Sequence, residues 1–190
     1  MFASELREQL KEVQLTLDKL PDMKQRTLFL MFVANQIGTS DQKEALKLMD
    51  QASGMIDTMK PGKDQLEAQI ALALTYCSVK SDRGLAIMQS LISKLNELVG
   101  AAAKLDGYEN QYLRDGEWNM TREGNLGALL TSLSENAAYF AWCDFDRAVG
   151  IADQFARPEI RLMAQLKLAQ AILAGPPKPF GRDIPMRYDY

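Results

Sequence analysis

Leu6, Leu10, Val13, Leu17 and Leu20 recur every three or four residues, which predicts a helix over residues 4–20 with one apolar stripe. Such a stripe suits either packing onto the following helices or a seam between two copies of the chain. Pro21-Asp22 interrupts it. A second helix is expected over 23–37, ending at Gly38, with Thr39, Ser40 and Asp41 as turn and cap residues. Its run over 28–33 is apolar on nearly every side, which predicts burial between neighbours. Further helices are expected over 42–59, 64–78, 83–104, 121–142, 144–155 and 158–173, the last opened by Pro158 in the first-turn position that tolerates it. No stretch alternates convincingly as a strand would.

The pattern repeats. Val33-Ala34, Ile37 and Ala45-Leu46-x-Leu48-Met49 correspond, 39 residues on, to Leu72-Ala73, Tyr76 and Gly84-Leu85-x-Ile87-Met88. A further shift of 64 reaches Phe140 and Ala148-Val149-x-Ile151-Ala152, and Asp-Arg pairs at 82–83 and 146–147 precede the last two second helices. Each hairpin has more apolar surface than it can hide alone, so neighbours must stack, with small residues at the close crossings. The expected fold is therefore all-α. Antiparallel helical hairpins stack as a short α-solenoid of seven to eight helices, with residues 1–174 as one helical-repeat domain.

This grammar resembles the tetratricopeptide family. Leu72-Ala73-x-x-Tyr76 approximates that family's Leu-Gly-x-x-Tyr section, Gly84 falls one place early for its following small residue, and Ala137-x-x-Phe140 with Ala148 offers a second approximation. The resemblance implies a stacked, peptide-binding scaffold over residues 28–173. The family tryptophan and the proline closing the second helix are missing from every copy. The family's carboxylate clamps are therefore carried to no residue here.

Composition narrows the chemistry. The chain has 22 basic and 25 acidic residues and no histidine. A net charge of -3 gives no basic surplus for nucleic acid or an anionic membrane surface. Without histidine there is no Ser-His-Asp triad, no His-containing zinc site and no imidazole pH switch. Cys77 and Cys143 are too few for a four-thiolate site and read as structural thiols. The spacing Asp144-Phe145-Asp146 lacks the glycine and further oxygen ligands of a calcium loop and reads as helix capping. No phosphate loop or dinucleotide fingerprint is present, so no catalytic residue, metal or cofactor is assigned. The opening residues lack the pattern of a signal peptide, and no apolar run approaches the roughly 20 residues a membrane helix needs, so a cytoplasmic location is expected.

Two segments stand outside the helical grammar. Residues 106–120 form an aromatic insertion, in which Tyr108, Tyr112, Arg114 and Trp118 are the residue types enriched at interface hot spots. They either cover the end of the preceding helix or bind a partner. Residues 175–190 carry four of the seven prolines and form either a surface tail or a docking arm. As an arm its contacts would be Phe180, Arg182, Met186, Tyr188 and Tyr190. The expected role is a non-catalytic protein-protein interaction or assembly scaffold, its partner another protein or a neighbouring subunit, with neither nucleic acid nor membrane. An apolar inter-helix groove serving an enzyme or a small-ligand receptor is the alternative, and a structural subunit of a homo-oligomer is a third reading.

Overall fold

Helix boundaries fall where turn and cap residues stand in the sequence. The computed structural model describes residues 2–79, 82–108, 110–119 and 124–177, with side chains from Lys11 onward. Among the described residues lie nine helices. They are α1 (Phe2–Lys19), α2 (Met23–Ile37), α3 (Gln42–Asp57), α4 (Lys63–Ser78), α5 (Arg83–Lys104), α6 (Gly124–Glu135), α7 (Ala137–Cys143), α8 (Phe145–Ala152) and α9 (Pro158–Ala174). Asp22, Asp41 and Asp144 cap α2, α3 and α8, each carboxylate accepting from the backbone N–H three residues on. Each such cap satisfies an orphan donor and contributes about 1 kcal/mol. Capping of α8 therefore falls to Asp144, while Asp146 lies in its first turn.

The structure is all-α, with helix pairs stacked as in a helical-repeat fold of generic type. Two features extend the expectation. The single helix expected over 121–142 is interrupted by a turn at Asn136, whose backbone and side-chain N–H groups both donate to the Ser132 carbonyl and whose own carbonyl accepts from the Tyr139 N–H three residues on. The aromatic insertion also holds a two-stranded ribbon, β1 (Leu113–Arg114) and β2 (Glu117–Trp118).

The chain divides into two compact units, one ending at Val79 and one running from Lys80 to Lys178. In the first, α2 packs on α1, α3 and α4, and α3 on α4. Nine residues of α4 are buried, from Leu66 to Cys77, so this helix is enclosed on nearly all sides. The apolar run of α2 is only half enclosed: Leu30 and Met31 are buried, whereas Leu28 is 42% exposed. Lys24 of α2 reaches both Asp64 and Glu67 of α4 at 2.7 Å. Hydrogen bonds to Asp64 and then Glu67 hold its ammonium pKa above the ordinary lysine value, against a smaller opposing effect of burial.

In the second unit, α5 packs on α7 and α8, and α9 packs on α6, α7, α8 and β2. The repeat survives as burial. Ala34, Ala73 and Ala137 occupy equivalent first-helix positions, Ala45, Gly84 and Ala148 equivalent second-helix positions, and all six are buried. A small side chain there lets helix backbones approach, and the larger Leu, Ile and Phe neighbours fill the remaining space. The Asp-Arg pairs also meet: Arg147 Nη1 lies 3.3 Å from Asp82 Oδ2. Both side chains are well exposed, so this contact contributes little to stability.

Candidate functional site

The aromatic insertion is organised by its turn. Asp115 and Gly116 have φ of 54° and 84°, the left-handed pair of a tight hairpin, and Leu113 faces Trp118 across it. Tyr112 stacks on Trp118 with ring centroids 5.4 Å apart and planes inclined by 17°. Asp106 Oδ1 accepts from the backbone N–H groups of Tyr112 and Leu113, fixing the start of the ribbon. Gly124 sits at φ 67°, where a Cβ would come within 2.8 Å of the Tyr112 hydroxyl, so that ring and the start of α6 approach as closely as glycine allows.

The ribbon is tied to the first turn of α9. Glu159 Oε1 accepts from the Trp118 backbone N–H at 2.8 Å and from Arg157 Nη1 at 2.9 Å. The same Arg157 nitrogen donates to the Gly116 carbonyl at 3.3 Å, and the guanidinium lies 6.0 Å from the centroid of the Trp118 ring. Burial alone would push the Glu159 carboxyl up. Hydrogen bonds from its own backbone N–H and that of Trp118, together with the Arg157 charge, more than offset this and leave its pKa below the ordinary value.

The four candidate residues of the insertion therefore separate. Tyr108 is 84% exposed, and Arg114 is exposed on the ribbon edge. Trp118 is only 5% exposed and Tyr112 half-buried, so these two rings prop the ribbon from within. Phe180, Arg182, Met186, Tyr188 and Tyr190 lie outside the described residues.

A second feature, foreseen only as an alternative, is an apolar cleft within the second unit. It has a volume of about 60 Å³ and opens between α5, α6, α7, α8 and α9. Leu85 and Met88 form one wall, Phe140 and Ile151 another, and Met163 and Ala164 a third. Ser134 supplies the one hydroxyl of the lining, and no carboxylate, lysine or arginine enters it. Such a lining offers dispersion and burial but no general acid, base or nucleophile activator.

No protein-family model, curated protein or solved structure matches this chain. The site is thus read from its own geometry.

Among the described residues, no group of three or more Cys, Asp or Glu side chains is placed to hold a metal ion. Cys77 is buried and Cys143 half-buried, and neither is in a disulfide. Sequence reasoning missed two features that had a signal. The dipeptide Asp115-Gly116 between Leu113-Arg114 and Glu117-Trp118 is a short-range hairpin pattern, and Glu159 beside Pro158 marks the helix start that the hairpin docks on. The cleft had none, because its lining comes from five helices.

Proposed function

We propose that the protein is a non-catalytic interaction scaffold, and that the cleft of the second unit receives an apolar side chain from a partner helix or peptide. The cleft carries this reading: it opens to solvent and is nearly uniformly apolar, as an anchor pocket at an interface must be. Exposed Tyr108 and Arg114 of the insertion are offered as further partner contacts. The tail over 175–190 acts as a second contact, through Phe180, Arg182, Met186, Tyr188 and Tyr190. Residues 1–174 form one helical-repeat domain related in design to tetratricopeptide arrays, working in the cytoplasm.

Filling the cleft tests this. Ala164→Phe places a ring where the partner's side chain would sit. Capture from native extract by the wild type should then yield a protein that the filled variant, folded by circular dichroism, no longer retains. Equal capture by both chains removes the cleft from the argument. The same cleft supports a second reading, a receptor for a small apolar ligand. Native mass spectrometry separates the two, since a bound small molecule displaced by Ala164→Phe with no captured protein favours the receptor.

A further inference from the structure

The aromatic insertion contains one dipeptide twice, Asp106-Gly107 and Asp115-Gly116. An aspartate before glycine is open to attack by its own backbone, because the glycine nitrogen has no neighbouring Cβ to shield it. The structure treats the two copies in opposite ways. Asp106 is half-buried, and its Oδ1 accepts from the backbone N–H groups of Tyr112 and Leu113. The Gly107 N–H donates to the Asn110 carbonyl at 2.9 Å, so both reacting groups are occupied. Asp115 and Gly116 are exposed at the tip of the ribbon. Among the described residues, no hydrogen bond engages the Asp115 carboxylate, the Asp115 carbonyl or the Gly116 N–H.

The turn also offers a route to the reactive geometry. With φ of 54° and 84°, Asp115 and Gly116 form a type I′ turn. In such a turn ψ of the first residue is about +30°, which points the Gly116 nitrogen away from the Asp115 side chain. Rotating the single peptide between them gives the other hairpin turn, type II′, with that ψ at about −120°. The nitrogen then lies beside the carboxyl carbon, as closure of a five-membered ring requires. The pairs Leu113–Trp118 and Arg114–Glu117 keep their register, since both turns match the twist of the strands. Glycine takes the new φ freely, whereas aspartate enters a region that disfavours a Cβ. The flipped turn is therefore rare and the reaction slow.

We infer that Asp115 is a site of spontaneous isomerisation to isoaspartate, and that its conversion releases the aromatic ribbon from the start of α9. The Gly116 nitrogen gives up its proton to solvent and bonds to Cγ of the Asp115 carboxylic acid, from which one oxygen leaves as water. The resulting succinimide takes water back at either carbonyl. Breaking the new Cγ–N bond restores aspartate. Breaking the bond from the Asp115 main-chain carbonyl carbon to the nitrogen instead routes the chain through Cβ and Cγ and leaves a free α-carboxylate. Nothing is oxidised or reduced, and the composition is unchanged. The backbone gains one methylene, for which a two-residue turn has no slack. The Gly116 carbonyl then leaves Arg157 Nη1, which reaches it at 3.3 Å, and the guanidinium 6.0 Å from the Trp118 centroid is freed with it. This chemistry is independent of the cleft.

The full chain is kept in warm neutral buffer, folded and in parallel in guanidinium chloride. Digestion and electron-transfer mass spectrometry then tell isoaspartate from aspartate, and a succinimide peptide is one water lighter. In denaturant both positions should convert at similar rates. In the folded chain position 115 should convert roughly tenfold or more faster than position 106, whose carboxylate must first give up two hydrogen bonds. Asp115→Asn keeps a preferred hairpin dipeptide and should reach the same succinimide faster, by losing ammonia instead of water. Hydrogen exchange of the Trp118 amide should be faster in converted chains than in unconverted ones. A folded chain that gains no isoaspartate at 115, or gains as much at 106, overturns the inference, as does an Asp115→Asn chain no more reactive than wild type. A Trp118 amide that exchanges alike in converted and unconverted chains overturns the release of the ribbon.

Discussion

Replacing Glu159 tests whether the aromatic ribbon is locked to α9 by one carboxylate. The Glu159 and Arg157 side chains are 21% and 26% exposed, so their 2.9 Å contact is screened less than a surface pair. A hydrogen bond to a charged acceptor contributes about 1.5–3 kcal/mol, and a carboxylate in a first helical turn about 0.3–1 kcal/mol. Glu159→Ala removes both and leaves the Trp118 N–H without this acceptor, for an expected loss of about 2–4 kcal/mol. Glu159→Gln keeps a carbonyl oxygen but no charge, and should cost about 1–2 kcal/mol. Urea unfolding followed by circular dichroism measures the loss, and amide exchange at Trp118 locates it. The pH dependence has a definite sign. Because the folded carboxyl titrates below its unfolded value, its contribution is whole above that ordinary value and disappears as pH falls through the folded pKa. The gap between wild type and Glu159→Gln must therefore narrow on acidification from neutral pH. A gap that is absent at neutral pH, or that widens in acid, refutes the lock.

Gly38 has helical backbone angles, so alanine there would ordinarily stabilise by a few tenths of a kcal/mol or more, but its Cβ would lie 2.6 Å from Val79 Cγ1. Gly38→Ala should cost about 1–2 kcal/mol alone and become neutral or favourable in a Val79→Ala background, a coupling read by a double-mutant cycle in urea. Adjacent positions on α4 should respond unequally to losing a hydroxyl. Tyr76→Phe removes a 2.7 Å bond to the Asp50 carboxylate and should cost about 1 kcal/mol. Thr75→Val removes a bond to the Ala71 carbonyl of its own helix, and should shift the urea midpoint little, because the substitution keeps shape in a site that is 0% exposed.

Helix existence was legible because periodicity and caps are local. Asp22, Asp41 and Pro158 stand at or beside the boundaries the apolar spacing demands, and the helices expected over 23–37 and 83–104 are found over those residues. The break at Asn136 was hidden, because the surrounding apolar residues keep helical spacing and a single tightened turn, with the Tyr139 N–H donating to the Asn136 carbonyl three residues back, divides α6 from α7. The aromatics mark residues 106–120 as an insertion, whereas its ribbon, too short to show strand alternation, is signalled only by the Asp115-Gly116 turn. Trp118 was legible as important but not as buried: nothing in 106–120 announces that the ring will be covered by Arg157, 39 residues away.

The deepest ambiguity lies in helices that are apolar on every side. α4 and α9 share this property, and Leu66-x-Ala68-Gln69-Ile70-x-Leu72-Ala73 even matches Leu162-x-Ala164-Gln165-Leu166-x-Leu168-Ala169. Yet Leu66 and Ile70 are 3% and 6% exposed, whereas their counterparts Leu162 and Leu166 are 66% and 49% exposed. Intrinsic pattern cannot distinguish the two, since burial belongs to the neighbours and not to the helix. For α4 those neighbours are α2 and α3 of the same unit. For α9 the same pattern without the enclosure leaves leucines in water, at a cost of about 25 cal/mol for every square ångström of apolar surface left uncovered. A helix that keeps the pattern of an enclosed one without gaining a polar outer face therefore retains a driving force for association.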